Sequence, residues 1–294
     1  MKTKQNYLII GVSQQMKSKA VELTEENYYD KDTSWHYMSV SLFKDFMKCE
    51  AAALAKLKDE WQQDDVTPLL VGNYVHSYFE SEEAHHKFIE NKGSSLMTKP
   101  NKKEPYGHLR SEFKTADAMI KTLENEQVFK ALYEPGEKEV IVTGNIYGYK
   151  WKGKIDSLNL DQLYFCDLKT VDDIHKKHWS SAYNKYDNFI ADRGYYMQMA
   201  VYIELIRQTF NTECQPFIFA ISKQDPPDKE AIDFNGDQDV LYMQDAMRMI
   251  EENQEHVQRV MSGEEAPTRC NHCEYCRLTK KIELPIHASE IEIY

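Results

Sequence analysis

The sequence predicts an α/β fold, a central mixed β-sheet flanked by helices. Three observations carry that expectation. The apolar residues follow a helical period up to about residue 133 and then a period of two from residue 137. The stretch "QLYFCDLKT", residues 162–170, is a short continuous apolar run of the kind a central strand shows when both its faces are buried. Long helical patterns return after it.

The elements follow in order. Residues 1–37 form a polar N-terminal segment, with a short strand "YLIIGV" and loops. Ser39 or Ser41 can cap one helix running through "SLFKDFMKCEAAALAKLKDEW", with Leu42, Phe46, Cys49 and Ala53 on one face. After the loop "QQDDVTP" a second helix covers "LLVGNYVHSYFESEEAHHKFIE". Residues 92–108 read as a basic loop, and a third helix spans about 111–133. "EKEVIVTGNIYGYKWKGKIDSLNL" alternates apolar and polar, punctuated by Gly144 and Gly148. Then come the central strand, a helix over about 188–210, a strand "PFIFAIS", the turn "KQDPPDKE", a short strand "AIDF" and a long helix over about 237–261. Residues 38–280 read as a single domain that takes in a C-terminal cysteine cluster, and 281–294 as a tail.

Composition narrows the classes. No apolar run approaches the length of a membrane span, and the N-terminus makes a poor signal peptide, so a cytoplasmic protein without a membrane partner is expected. The formal net charge is −12, which by itself disfavours nucleic acid. A nucleic-acid reading therefore needs a local basic surface.

The chemistry concentrates at "GKIDSLNLDQLYFCDLKT", residues 153–170. A tight turn at about Asn159–Gln162 would bring Asp156 and Asp167 together on antiparallel strands. Two carboxylates held close are costly unless a cation lies between them. Mg²⁺ suits such a pair, since it prefers oxygen ligands and takes one or two carboxylates. Lys169 has the parity of Asp167, so both leave the same face of the strand. A charged strand end with a surface ion pair is the plain alternative. Gln198 and Tyr202 in "QMAVY" share a helical face, as four-residue spacing dictates. His76 in "GNYVH" follows Gly72 by four residues on a mostly apolar helix.

The ordered set G-x-x-x-H, G-x-x-D, D-x-K, Q-x-x-x-Y resembles the PD-(D/E)-x-K nuclease superfamily in its RecB-like branch. The stretches "LLVGNYVHSYFE", "GKIDSL", "YFCDLKT" and "YYMQMAVY" look like the phage exodeoxyribonuclease VIII (RecE-like) domain. The resemblance covers about residues 38–277. Ile155 stands where the superfamily name has proline, as is usual in this branch. The resemblance implies a restriction-endonuclease-like core. It implies that His76, Asp156, Asp167 and the carbonyl of Leu168 ligate catalytic Mg²⁺ or Mn²⁺, and that Lys169 orients or activates the attacking water. Gln198 and Tyr202 would hold the surroundings of the site and a DNA phosphate. Glu139 is a candidate for a supporting or second-metal role, with a solvated strand glutamate as the plainer reading. The implied activity is processive 5′→3′ digestion of one strand of double-stranded DNA from its ends. The 3′ single-stranded product would be loaded with a RecT-like annealing protein, in a phage or prophage setting. A homo-oligomeric ring enclosing DNA fits the same resemblance.

"CNHCEYC" supplies Cys270, Cys273 and Cys276. Two C-x2-C steps in seven residues point to metal, and Cys49 is the best fourth ligand, with His272 the local alternative. Four cysteines suit structural Zn²⁺ or a [4Fe–4S] cluster. One early and three late cysteines resemble the iron–sulfur staple of AddB-type and Cas4-type nucleases. A Cas4-like single-strand nuclease is therefore a rival function, and a non-catalytic DNA- or protein-binding module on the same fold is another. Basic stretches that could meet DNA are "TKPNKKEPYGHLR", with Lys99, Lys102, Lys103 and Arg110, and "DDIHKKHW", with Lys176, Lys177, His178 and Trp179. An aromatic within a basic stretch suits stacking on a base; solvated loops are the bland alternative.

Overall fold

A computed structural model describes residues 21–62, 67–100, 107–180, 185–282, 284–285 and 287–291. The expected strand "YLIIGV" and the residues Lys102 and Lys103 lie outside these. Eleven α-helices are described: α1 (Lys31–Ser34), α2 (Val40–Lys48), α3 (Glu50–Leu57), α4 (Thr67–Glu80), α5 (Glu82–Leu96), α6 (Ser111–Glu124), α7 (Gln127–Leu132), α8 (Phe189–Asp192), α9 (Tyr195–Phe210), α10 (Asp237–Ser262) and α11 (Glu274–Leu278). The strands are β1 (Glu137–Ile146), β2 (Tyr149–Asn159), β3 (Tyr164–Val171), β4 (His178–Ser180), β5 (Lys185–Asp187), β6 (Gln215–Ser222) and β7 (Lys229–Asp233).

Five strands make one sheet in the order β1-β2-β3-β6-β7, and only the β3–β6 pairing is parallel. β3 is the central strand, and its alternation feeds two cores. Phe165 packs with Trp151, Ile155, Met199 and Leu205 on one side, beneath α2, α9 and α10. Cys166 and Leu168 pack with Val75, Phe113, Phe129 and Phe219 on the other, beneath α4, α6 and α7. The continuous apolar run is thus a strand buried on both faces, as its composition required.

Four expected helices are broken where a single residue leaves helical geometry. The first is capped by Ser39, whose hydroxyl accepts from the Leu42 N–H, but it stops at Cys49, which is extended (φ −166°, ψ 103°). Val40, Phe43 and Phe46 form its buried face; of the expected stripe Phe46, Cys49 and Ala53 are buried and Leu42 is partly buried, but the break divides them between two helices. The second breaks at Ser81, which caps α5 through the Ala84 N–H at 3.0 Å, and α5 runs on to Leu96 into the expected basic loop. The third divides between α6 and α7. The fourth breaks at Gly194, whose φ of 65° is open to glycine at little cost. The β4–β5 hairpin replaces an expected loop.

Residues before the domain's first long helix also join the sheet. The Met38 N–H donates to the Lys150 carbonyl and the Lys152 N–H to the Met38 carbonyl, both at 2.8 Å. The Lys152 ammonium is buried and donates to the Tyr28 carbonyl and the Thr33 hydroxyl, each at 2.6 Å. Among the described residues no helix is long and apolar enough to cross a membrane.

Candidate active site

The β2–β3 ladder ends at Ser157 opposite Cys166. One step further in the same register, Asp156 faces Asp167. The strands are no longer hydrogen-bonded there, and the Asp156 carboxylate takes the place of the ladder, accepting from the Leu168 N–H at 2.8 Å. On the other side of β2 the register runs from Lys138 opposite Ser157 to Val140 opposite Ile155, which places Glu139 across from Asp156. Glu139 has a φ of 58°, uncommon for a residue with a side chain and a mark of local strain. Three acids therefore occupy successive register positions on β1, β2 and β3.

Each acid has a partner. Asp167 is 1% exposed; its Oδ1 accepts from the Gln198 amide at 2.6 Å and its Oδ2 forms an ion pair with Lys169. That Oδ2 is buried and makes no hydrogen bond of good geometry. His76 Nδ1 stands 3.4 Å from Asp156 Oδ2. Glu139 pairs with Lys154 at 2.7 Å, and its side chain is only 17% exposed, so it is not a solvated strand residue. Lys154 shares the parity of Asp156 in "GKID", a signal the sequence contained.

Electrostatics follow from this crowding. Burial, and then the neighbouring Asp167, push Asp156 well above the ordinary carboxylate range. Burial pushes His76 down, helped by the Lys169 charge. Burial would also lower Lys169, but Asp167 and Tyr195 outweigh it and hold the ammonium above its ordinary value. Lys169 is thus a fixed cation, lying 4.9 Å from the centre of the Tyr195 ring.

Two glycines of the motifs have steric reasons. A Cβ on Gly153 would meet Tyr202 Cε1 at 2.9 Å and Val142 at 3.2 Å. One on Gly72 would meet the Thr170 hydroxyl at 3.2 Å, so α4 approaches β3 closely enough to deliver His76. Tyr202 packs on Gly153, with burial raising its phenol well above the ordinary range.

Asp156, Asp167, Lys169, His76, Gln198, Tyr202 and Glu139 all line one cavity of about 1250 Å³. The sequence reading missed Lys44, Tyr195, Tyr28 and Tyr29 in the same lining. Lys44 comes from α2, donates to the Arg193 carbonyl at 2.8 Å, and is pushed down to about 8 by burial and then by Lys169. No local pattern marks it, because its partners are far away in sequence.

A second cavity of about 470 Å³ adjoins the first and shares His76, Lys169 and Tyr195 with it. Leu168, Lys176, His178, Arg193 and Lys223 line it, together with Asp172 and Asp173. Of the expected DNA contacts, Lys176 is there. Lys177 lines neither cavity. Trp179 stands outside, on β4. Arg110 is held by the Ser95 carbonyl and Glu112, at 3.1 and 2.8 Å, so it is a structural cation.

The four expected cysteines do meet. The sulfurs of Cys49, Cys270, Cys273 and Cys276 all lie within 4.8 Å of one another, with Cys49 to Cys276 at 3.6 Å. The break between α2 and α3 is what turns Cys49 toward α11, and His272 is not in this group. The Cys273 and Cys276 N–H groups donate to the sulfurs of Cys270 and Cys273, at 3.3 and 3.4 Å. Four convergent thiols are the donor set of tetrahedral zinc and of a [4Fe–4S] cluster alike. Cys166 and Cys214 are separate buried core thiols.

Comparison with known proteins follows the same lines. The family described as "PDDEXK-like domain of unknown function (DUF3799)" matches residues 39–279. The chain belongs to this family. Among solved structures, the family member here is similar to a "putative exonuclease" from Eubacterium rectale, with 36% identity and a TM-score of 0.81, over 91% of this chain and 97% of that one. A second structure, of SSO0001, is 17% identical with a TM-score of 0.28, over 83% of this chain and 96% of that one, and bears no weight. No curated protein matches. Family and structural likeness together support a nuclease.

Proposed function

We propose that this protein is a divalent-metal-dependent DNA exonuclease that digests one strand of linear duplex DNA 5′→3′. The observation that carries the reading is the buried pairing of Asp156 and Asp167 in register, with Lys169 fixed beside them. Two buried acids, one of them with an oxygen lacking a good hydrogen bond, fit a Mg²⁺ or Mn²⁺ ion. His76, Asp156, Asp167 and the Leu168 carbonyl would hold it. Such an ion, when bound, polarises a phosphate and acidifies water.

The chain's own groups supply the rest. Gln198 locks the Asp167 carboxylate, and the Leu168 N–H locks that of Asp156, so neither must reorganise during reaction. Lys169, charged throughout the physiological range, donates to the attacking water and offsets negative charge growing on the phosphate. Lys176, Arg193 and Lys223 in the adjoining cavity would take the neighbouring phosphates. In this reading the single-stranded 3′ product passes to an annealing protein of RecT type for recombination. The protein works in the cytoplasm of a bacterial host, as a phage or prophage product, and a ring of copies would keep it on its DNA.

A second reading is favoured by the convergence of the four cysteines: a single-strand nuclease of Cas4 or AddB type, stapled by [4Fe–4S] or Zn²⁺. Digestion of end-labelled duplex and single-stranded DNA, with Mg²⁺ or EDTA, separates the two. Mg²⁺-dependent release of a 5′ label from duplex, absent in Asp167→Ala, supports the first. Cutting of single strands alone supports the second. Cleavage of neither would leave a binding module on a nuclease fold.

A further inference from the structure

The β4–β5 hairpin serves no core. Each strand has three residues, a length that is marginal by itself. Its inner side is tied to the body by polar contacts. His178 Nδ1 lies 3.2 Å from Asp192 on α8, and the Lys185 ammonium donates to the Tyr242 hydroxyl on α10 at 2.7 Å.

One step along each strand, alternation turns the side chains the other way. Trp179 and Tyr186 are partners in register there, with ring centres 5.2 Å apart in an edge-to-face arrangement. They remain 53% and 65% exposed. The two rings pack across the strands of a short hairpin, and their outer faces are left open as a stacking surface.

Position says what the surface fits. His178, the residue before Trp179, lines the smaller cavity along with Lys169, Lys176, Arg193 and Lys223. The aromatic pair thus lies one residue from the lining of a cleft that carries four cations and two aspartates and adjoins the acid row, its rings on the opposite side of the hairpin from His178. A backbone of phosphates follows the cations, and a base without a pairing partner can lie on the rings. Duplex interior offers no free base face. Such a combination suits an unpaired strand, and within the nuclease reading that strand is a DNA end that has come apart.

We propose that Trp179 and Tyr186 form a stacking platform for an unpaired base at a DNA end, so that the protein prefers frayed ends to blunt ones. This rests on the nuclease reading for its ligand but not on the direction of digestion. The platform gives the hairpin its role: holding one strand open while the other enters the site.

The test is binding in EDTA, where cleavage is stopped, by the full chain. The probes are a blunt duplex and the same duplex with a few unpaired nucleotides at one end. Stacking of a single base is expected to favour the unpaired end by about tenfold or more. Trp179→Ala and Tyr186→Ala should each remove most of that preference while leaving the affinity for blunt duplex within about twofold. Trp179→Phe should keep much of it, because a phenyl ring still stacks. A general folding defect would lower both affinities together, and a melting curve of each variant identifies it. Equal binding of both probes by the wild type, or an unchanged ratio in a folded Trp179→Ala protein, overturns the platform. If Mg²⁺-dependent digestion persists in that case, the nuclease reading survives. Absence of both DNA binding and digestion removes the nuclease reading and the platform with it.

Discussion

Asp156 accepts the Leu168 N–H that the end of the β2–β3 ladder leaves free. The carboxylate thus has two separable duties, one structural and one chemical. Asp156→Asn keeps an oxygen for the N–H and removes the charge. We expect it to fold with at least wild-type stability and to lose digestion by about 10²-fold or more, the scale of deleting one preorganised charge-stabilising group. Asp156→Ala should lose as much activity and, in addition, about 1–2 kcal/mol of stability, because the buried N–H is left unpaired. Urea melts of the two variants, compared with their rates, check this.

Gly153 is where β2 passes beneath Tyr202. A methyl group there would sit 2.9 Å from the ring, inside normal contact. Gly153→Ala should cost about 1–3 kcal/mol, the usual penalty for overpacking. It should also reduce activity, since Tyr202 cannot retreat without moving α9 and with it Gln198. A double variant Gly153→Ala with Tyr202→Leu should recover part of the stability, measured by thermal melting.

Lys152 gives a pH dependence whose direction can be worked out. Burial pushes its ammonium down to about 8. The folded value lies below the unfolded one, so between them the unfolded chain binds more protons. Stability contributed by this site therefore rises as pH climbs from about 8 toward the ordinary lysine value, by at most about 1.4 kcal/mol per pH unit. Wild type should gain urea resistance over that range relative to Lys152→Met. Parallel behaviour of the two proteins would contradict it.

Gln254 on α10 is 1% exposed, and neither of its amide atoms has a hydrogen-bond partner among the described residues. Replacement by methionine of similar shape should raise stability by about 1–3 kcal/mol. An unchanged or lower melting temperature would mean that an internal water already satisfies the amide.

Cys49, Cys270, Cys273 and Cys276 should bind metal as a unit. Purified protein should carry zinc by elemental analysis, or iron with a brown visible absorption. Cys49→Ser should lose most of that metal and expose the segment after Gly263 to protease first. A wild-type protein free of both metals would refute the staple.

The sequence disclosed the site's axis because two short-range rules coincide there. Strand parity pairs Asp167 with Lys169, and a tight turn brings Asp156 opposite. His76, Gln198 and Tyr202 are placed only by the resemblance to the ordered motif set; helical spacing by itself shows no more than that Gln198 and Tyr202 share a face. The break at Cys49 is not legible, because the apolar period runs through it, whereas those at Ser81 and Gly194 carry a cap and a breaker signal in the polar runs "ESEE" and "DRG". Glu139 reads in sequence as a solvated strand glutamate because its left-handed backbone has no signature in alternation, whereas its partner Lys154 is marked by sharing the parity of Asp156. The β4–β5 hairpin escaped because three-residue strands are too short to show a period. Lys44 was invisible for a different reason: its contact with Arg193 spans 149 positions.

That Cys49 closes on cysteines made some 227 positions later sets a timetable for the molecule. A ribosome has released all the residues of the acid row, with Gln198 and Tyr202, before Cys276 emerges. Until then α3 lacks its contacts with α11, while α2 is already seated by Phe43 and Phe46 in the core and by Lys44 on the Arg193 carbonyl. The clasp therefore closes only after the acid row has been made, so a product cut off before Cys270 would carry every acid of that row and still lack the clasp that holds α3.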